Sequence, residues 1–234
     1  LLNHQARRLR EAGLSRVTVS LDTLDDEVFK EMNGRGFDTQ RVLEGIQRAS
    51  EVGLAPIKIN AVVQKGVNDH TLVDLARHFK GTGHIVRFIE YMDVGNRNGW
   101  KWDQVVSAKE IVQMIDAEMP LEPLEGNYPG EVANRFRYRD GQGEIGVIAS
   151  VTQPFCGACT RARISTDGRL FTCLFASQGT DLRGPMRDGA NDGELEKIIT
   201  GVWGRRTDRY SQERTEQAPG QNNLQKIEMY QIGG

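Results

Sequence analysis

The sequence predicts an α/β protein that changes character partway along its 234 residues. Three observations carry this reading. Over residues 1–119, short β-branched runs alternate with amphipathic helical stretches, the spacing of parallel βαβ units. After Pro120 that alternation stops, and short strand-like segments follow one another as in an antiparallel α+β region. All three cysteines, Cys156, Cys159 and Cys173, then fall in one stretch of the second part. Two domains are expected, 1–119 and 120–234.

The elements follow in order. Residues 3–13 read as a helix, with Ala6, Leu9 and Ala12 on one side and Gly13 as its stop. Residues 16–21 form a strand. A short helix over 25–32 carries acids at its N-terminus, where the helix dipole favours them. Residues 38–53 form a helix capped by Asp38, with Val42, Ile46, Ala49 and Val52 facing inward. Residues 57–63 are the next strand; Lys58 and Asn60 lie two apart and share a face. A helix over 69–81 turns Leu72, Leu75, Ala76 and Phe79 inward, and residues 85–90 make a third strand.

Parallel sheets of this kind are covered by helices on both faces or closed as barrels. Barrel sites use residues near the carboxyl ends of strands. Lys58, Asn60, Arg87 and Glu90 are therefore candidates to line a polar interior suited to a triphosphate, although each alone fits a structural salt bridge equally well. The glycine-rich loop 92–100 follows the third strand, and 107–118 is another amphipathic helix. Strand-like segments at 135–139 and 145–150 precede the cysteines. A helix over 192–203 should turn Leu195, Ile198, Ile199 and Val202 inward. The chain then becomes polar and ends on Gly233-Gly234, usually just a frayed end but also a dipeptide slim enough to thread a narrow channel.

Composition narrows the function. A formal net charge of −2 with 26% charged residues argues against a general nucleic-acid or membrane-surface binder. No run is apolar and long enough to span a membrane, and no signal peptide is visible. Clustered cysteines in a chain of this length do not read as a secreted disulfide framework, so a cytoplasmic location is expected.

The cysteine stretch carries the chemistry. Cys156 and Cys159 form a C-x-x-C turn. Residues 161–166 alternate like a strand, Asp167-Gly168 is a strong hairpin signal, and residues 169–175 return, carrying Cys173 back to the turn. Zinc would want a fourth ligand, and His4, His70, His78 and His84 all lie far upstream. An iron–sulfur cluster on three cysteines leaves one iron open. The spacing favours the cluster and leaves zinc as the alternative; unpartnered thiols are the blandest reading. Arg161 and Arg163, two apart and adjacent to Cys159, would face one way and hold an anion there.

The C-x2-C-x13-C spacing followed by T-R-A-R resembles the C-terminal cluster of the radical S-adenosylmethionine GTP 3',8-cyclases, which catalyse the first step of molybdenum cofactor biosynthesis. The likeness runs through almost the whole chain: S-L-D at 20–22, K-I-N at 58–60, R-F-I-E-Y-M-D-V-G-N at 87–96, the cysteine stretch and the terminal Gly-Gly. It implies the later βα units of an incomplete radical-SAM TIM-type barrel, then an α+β domain with an auxiliary [4Fe–4S] cluster. It assigns Ser20 and Met92 to S-adenosylmethionine, Lys58, Arg87, Arg161 and Arg163 to GTP, and Cys156, Cys159 and Cys173 to the cluster. Gly233 and Gly234 become a tail reaching into the active site.

The implied chemistry is hydrogen abstraction from C3' of GTP by a 5'-deoxyadenosyl radical, then ring closure at C8. A cyclic pyranopterin monophosphate synthase would act downstream, and a homodimer is left open. The family's N-terminal C-x3-C-x2-C loop, which holds a first [4Fe–4S] cluster, is not in this sequence. The 234 residues alone are therefore expected to be inactive as a cyclase, the reaction belonging to a longer parent enzyme. A non-catalytic zinc- or nucleotide-binding module, or another radical enzyme with an auxiliary cluster, are the rival readings.

Overall fold

The structure is a computed structural model that describes residues 1–95, 98–216 and 226–232. The chain divides into two compact units, Leu1–Tyr91 with Asp103–Gln153, and Met92–Trp102 with Pro154–Gly234. The expected boundary at 119/120 lies inside the first of these, between a helix and the strand that follows it.

The first unit contains helices α1 (Leu2–Glu11), α2 (Asp26–Asn33), α3 (Thr39–Glu51), α4 (Leu72–Phe79) and α5 (Ala108–Glu118). Its strands are β1 (Thr18–Ser20), β2 (Lys58–Val63), β3 (Ile85–Glu90), β4 (Leu121–Leu124), β5 (Asn134–Tyr138) and β6 (Glu144–Ile148). They form one six-stranded sheet in the order β1-β2-β3-β6-β5-β4. β1, β2, β3 and β6 run parallel, whereas β4 and β5 pair antiparallel at one edge. The change of pattern after Pro120 is thus a change of pairing within one sheet.

Local chemistry accounts for the helix ends. The Asp25 and Asp38 side chains accept N–H groups in the first turns of α2 and α3, while Ser107 and Glu110 form a reciprocal capping box on α5. α2 stops at Gly34, whose φ of 58° is the left-handed conformation that glycine adopts at least cost. One continuous core lies between sheet and helices, built from Leu21, Ile59, Ala61, Phe88, Ile145 and Val147 on strand and strand-end positions and Ile46, Leu75, Ile111 and Ile115 on helices. β2 and β3 each alternate half-buried with buried residues, so each has one face on this core.

The second unit contains β7 (Arg163–Ile164), β8 (Arg169–Phe171) and β9 (Thr180–Asp181), a three-stranded antiparallel sheet. Helices α6 (Arg183–Arg187), α7 (Asp192–Gly204) and α8 (Tyr210–Glu216) follow. The expected hairpin is present, turning at Gly168 with a φ of +81°. An added Cβ there would lie 2.7 Å from the Cβ of Arg183, so glycine is required sterically as well as conformationally. One expectation fails: α7 buries none of its residues, and Ile199 is 38% exposed. Its apolar stripe has the period of a core-facing helix but is not packed away within its own unit.

Candidate functional site

In the first unit, sheet register places the sequence-predicted residues in a row. Ser20 pairs with Asn60, Asn60 with Arg87, and Arg87 with Gly146, so these four positions share one face across β1, β2, β3 and β6. Lys58 lies one step back on the same face of β2. The Arg87 Nε–H donates to Asn60 Oδ1 at 2.9 Å, which orients the guanidinium and leaves its other donors uncommitted to this bond. Burial pulls the Arg87 guanidinium below its ordinary pKa, with Tyr128 and Glu131 pulling the other way. The Lys58 ammonium has neither an ion-pair nor a hydrogen-bond partner among the described residues. Elsewhere in this unit, half-buried cations are matched by carboxylates: Arg135 by Glu144 at 2.5 Å, and Lys80 by Asp140.

Gly146 was missed by sequence reasoning. A Cβ there would meet the Cγ of Arg87 and the Cβ of Ala133, both at 3.2 Å. The missing side chain is what makes room for the Arg87 stem. The available signal was a single glycine inside a strand pattern, which marks a close approach. Behind the row, the Asn68 amide donates to the carbonyls of Asp22 and Val62 at 2.8 Å each, and Asp22 Oδ1 accepts the Val62 N–H at 2.9 Å. These bonds tie the carboxyl ends of β1 and β2 together. Glu90 does not line the polar face: it is fully buried on the opposite one.

In the second unit, Cys156 opens a 3-10 turn that ends at Cys159, whose N–H donates to the Cys156 carbonyl at 3.2 Å. Cys173 follows β8 rather than lying in it, and its Sγ accepts the Phe175 N–H at 3.5 Å. All three cysteines are free and half-buried. Arg161 lies outside β7, so it does not simply repeat the facing of Arg163. It stacks on Phe155 at 4.9 Å and donates from Nε and Nη2 to the Cys159 sulfur at 3.4 and 3.3 Å. Arg206, also missed in the sequence, donates to the Cys159 carbonyl and pairs with Asp208 at 3.3 Å.

The thiols differ in consequence. Burial alone would raise the Cys159 thiol, but the Arg161 N–H and the Arg206 and Arg161 side chains outweigh it and lower its pKa. Burial pushes Cys173 up, and the nearby Asp208 and Cys156 add to the rise. The Arg163 guanidinium is lowered by burial and by Arg161, against the pull of Cys159 and Cys173. It has no hydrogen-bond or ion-pair partner among the described residues.

Among the described residues, no three His, Cys, Asp or Glu side chains are close enough together to share one metal ion. The donor types nevertheless suit the cluster expected from the sequence. Cys156 and Cys173 are near enough to act on each other electrostatically, as are Arg163 and the thiols at 159 and 173. In a cluster each thiolate binds its own iron, so the sulfurs stand further apart than ligands on a single ion. The three soft thiolates, with arginines beside them to offset negative charge, fit such a group.

Met92 is half-buried, and its carbonyl accepts the Asn98 amide at 2.9 Å. The next residue, Asp93, accepts the Tyr210 hydroxyl at 2.5 Å and the Lys226 ammonium at 2.6 Å, so it anchors the C-terminal segment within this unit. Gly233 and Gly234 lie outside the described residues. No helix among the described residues is long and apolar enough to cross a membrane.

Residues 1–79 match the Radical SAM superfamily, and residues 84–212, more than half of the chain, match the family described as Molybdenum Cofactor Synthesis C. With the parallel sheet and the cysteine hairpin, these matches define the class: a radical SAM protein with a molybdenum cofactor synthesis region. The GTP 3',8-cyclase of Acidothermus cellulolyticus is 53% identical over 224 residues, covering 94% of this chain and 62% of that protein. The GTP 3',8-cyclase of Xanthomonas campestris pv. campestris is 47% identical over 234 residues, covering 100% of this chain and 68% of that one. That of Staphylococcus saprophyticus is 44% identical over 235 residues, covering 100% and 69%. The chain belongs to the GTP 3',8-cyclase family.

It spans 62% to 69% of the length of these curated relatives. A crystal structure of a radical SAM methyltransferase from Sphaerobacter thermophilus aligns with 50% of this chain and 35% of its own, at 20% identity and a TM-score of 0.41. The family assignment rests on the sequence matches alone. The superfamily implies a [4Fe–4S] cluster and S-adenosylmethionine.

Proposed function

We propose that this chain is the substrate-side part of a GTP 3',8-cyclase, the radical S-adenosylmethionine lyase of the first step of molybdenum cofactor biosynthesis. The substrate is GTP, and the product is its 3',8-cyclised dihydro form. The observation that supports the reading is a set of half-buried cations without a direct carboxylate partner among the described residues. Lys58 and Arg163 make no hydrogen bond or ion pair among the described residues, and the one hydrogen bond of Arg87 is to the neutral Asn60 amide. A half-buried guanidinium that burial disfavours, with no carboxylate in direct contact, suits an anionic ligand.

In this reading Lys58 and Arg87 hold GTP from the sheet face, with Asn60 fixing the plane of the Arg87 guanidinium and Gly146 giving it room. Arg161 and Arg163 hold it from the cysteine hairpin. Ser20 and Met92 are the residues assigned to S-adenosylmethionine, and the role given to Gly233 and Gly234 falls outside the described residues. Strands β1 to β3 are the later part of a radical-SAM barrel, and 120–234, including β4 to β6 of the same sheet, is the functional C-terminal region. Cys156, Cys159 and Cys173 would hold the auxiliary [4Fe–4S] cluster, which supplies an open iron to orient the base. The task of this chain's own residues is placement: a C3' held out of line would lose the radical to side reactions.

The test is titration of GTP into the anaerobically reconstituted protein, followed by turnover with S-adenosylmethionine and a reductant in a protein that also carries the family's N-terminal C-x3-C-x2-C loop. Saturable GTP binding and release of the cyclised product are expected. Absence of GTP binding by the reconstituted protein would refute the reading.

A further inference from the structure

The chain passes between its two units three times: between Tyr91 and Met92, between Trp102 and Asp103, and between Gln153 and Pro154. One side chain in the first unit stands next to the first crossing, binds residues just before the third, and holds the helix that follows the second. Glu90 ends β3 and is 0% exposed. Its Oε1 accepts the N–H of Ala108, the first residue of α5, at 2.7 Å, and also the Thr152 hydroxyl. Its Oε2 accepts the N–H groups of Val151 and Thr152 at 2.7 and 2.8 Å. The Ser150 hydroxyl reaches the Glu90 carbonyl at 3.5 Å.

The sequence pattern makes this placement unusual. Val86, Phe88 and Glu90 share the core-facing side of β3, and the first two are buried hydrophobes. A carboxylate stands where the alternation calls for a third. Taking a carboxylate out of water is costly unless its lone pairs are filled, and here four donors from two distant segments fill them. An apolar side chain would pack the core equally well, but it could not tie the start of α5 and the 150–152 turn to the end of β3.

We propose that Glu90 is a positioning residue that fixes the roots of the crossings at 91/92 and 153/154 to each other and to the start of α5. Met92 lies two residues beyond Glu90, and Cys156 four residues beyond Thr152. The segments that carry them therefore leave one anchored point. The proposal rests on the cyclase reading only for its GTP readout.

The experiment is Glu90→Gln in the reconstituted protein, read by site-resolved amide hydrogen exchange and by GTP titration. The variant sets a side-chain NH2 against backbone donors. Exchange at Ala108, Val151 and Thr152 should accelerate at least about tenfold, while Ile59 and Ala61 in β2 stay within about twofold. GTP affinity should fall at least about fivefold, as expected when ligand-bearing segments lose their placement. Equal acceleration throughout the sheet would overturn the proposal by making Glu90 a general stabiliser, and so would local acceleration with unchanged GTP affinity.

If Glu90→Gln does not fold, Thr152→Val removes only the hydroxyl donor. It should show the same local order on a smaller scale, and unchanged exchange at Val151 would overturn the proposal. Failure of the unaltered protein to bind GTP would refute the cyclase reading, whereas the exchange pattern would still decide whether Glu90 anchors the crossings.

Discussion

α5 and α7 are both amphipathic, are both closed by capping boxes and have similar lengths, yet they end up in opposite situations. α5 buries Ala108, Ile111 and Ile115 against the sheet, whereas α7 buries nothing. The difference extends to their units. The first unit holds the whole continuous core. Among the described residues of the second, the buried apolar side chains are Leu170, Phe171, Phe175 and Ile232. So few buried groups resemble the position of small domains, which lean on a metal or a cross-link for stability. The first unit is organised by its own hydrophobic surface; in the proposed reading the second makes up its shortfall through a cluster held by its three thiols.

The strongest way to break this contrast is to remove one thiol. Cys173→Ser should abolish cluster loading and strip hydrogen-exchange protection from β7 and β8, while protection in β2 and β3 persists. Retained protection in the hairpin would show that the second unit stands without its metal. A gentler probe compares the two helices by denaturant unfolding. Ile115→Ala should cost about 2–5 kcal/mol through lost burial and a residual cavity. Ile199→Ala should stay within about 0.5 kcal/mol.

Removing the arginines of the proposed anion site should act on affinity rather than on stability. Arg87→Ala and Arg163→Ala should each weaken GTP binding by about 1.5–3 kcal/mol, the range for a hydrogen bond to a charged group. Gly146→Ala should weaken it less, by crowding Arg87 rather than deleting it, with overpacking of about 1–3 kcal/mol appearing in unfolding as well. Calorimetric titration alongside denaturant melts separates the two.

The smallest expected effect is of pH. Burial lowers the His84 pKa below its usual 6.5, and its Nδ1 is buried without a hydrogen-bond partner. The unfolded chain therefore takes up the proton first as pH falls. The contribution of neutral His84 is complete above pH 6.5 and is lost as pH drops below that value toward the folded pKa. His84→Gln should flatten this slope in melts of the first unit; an unchanged slope would assign it to other groups.

The sequence made the first unit legible because burial there follows the local period. The strand expected at 85–90 is β3, Ile85–Glu90, and the helix expected at 107–118 is α5 with its N-cap Ser107. The β4 strand escaped notice because Leu121–Leu124 contains Pro123 and lies at a sheet edge, where no alternation is enforced. α7 misled for the opposite reason: amphipathic period reports what a helix could bury, not what lies against it. At the site, Lys58, Asn60 and Arg87 were legible by alternation, whereas Gly146 shows itself only through its neighbour's side chain. Glu90 was legible as a polar strand residue but not as a buried one, because its donors come from residues 108 and 150–152. The role of Arg206 was equally hidden, its partner Cys159 lying 47 positions away.

The most direct test of a second unit organised around its thiols is the iron, sulfide and zinc content of the anaerobically reconstituted 234-residue chain, with Cys173→Ser as its control. The account predicts about four irons with matching sulfide per chain, lost in the variant. About one zinc and no iron after the same treatment would contradict it and leave the cysteine hairpin as a zinc-stapled binding module.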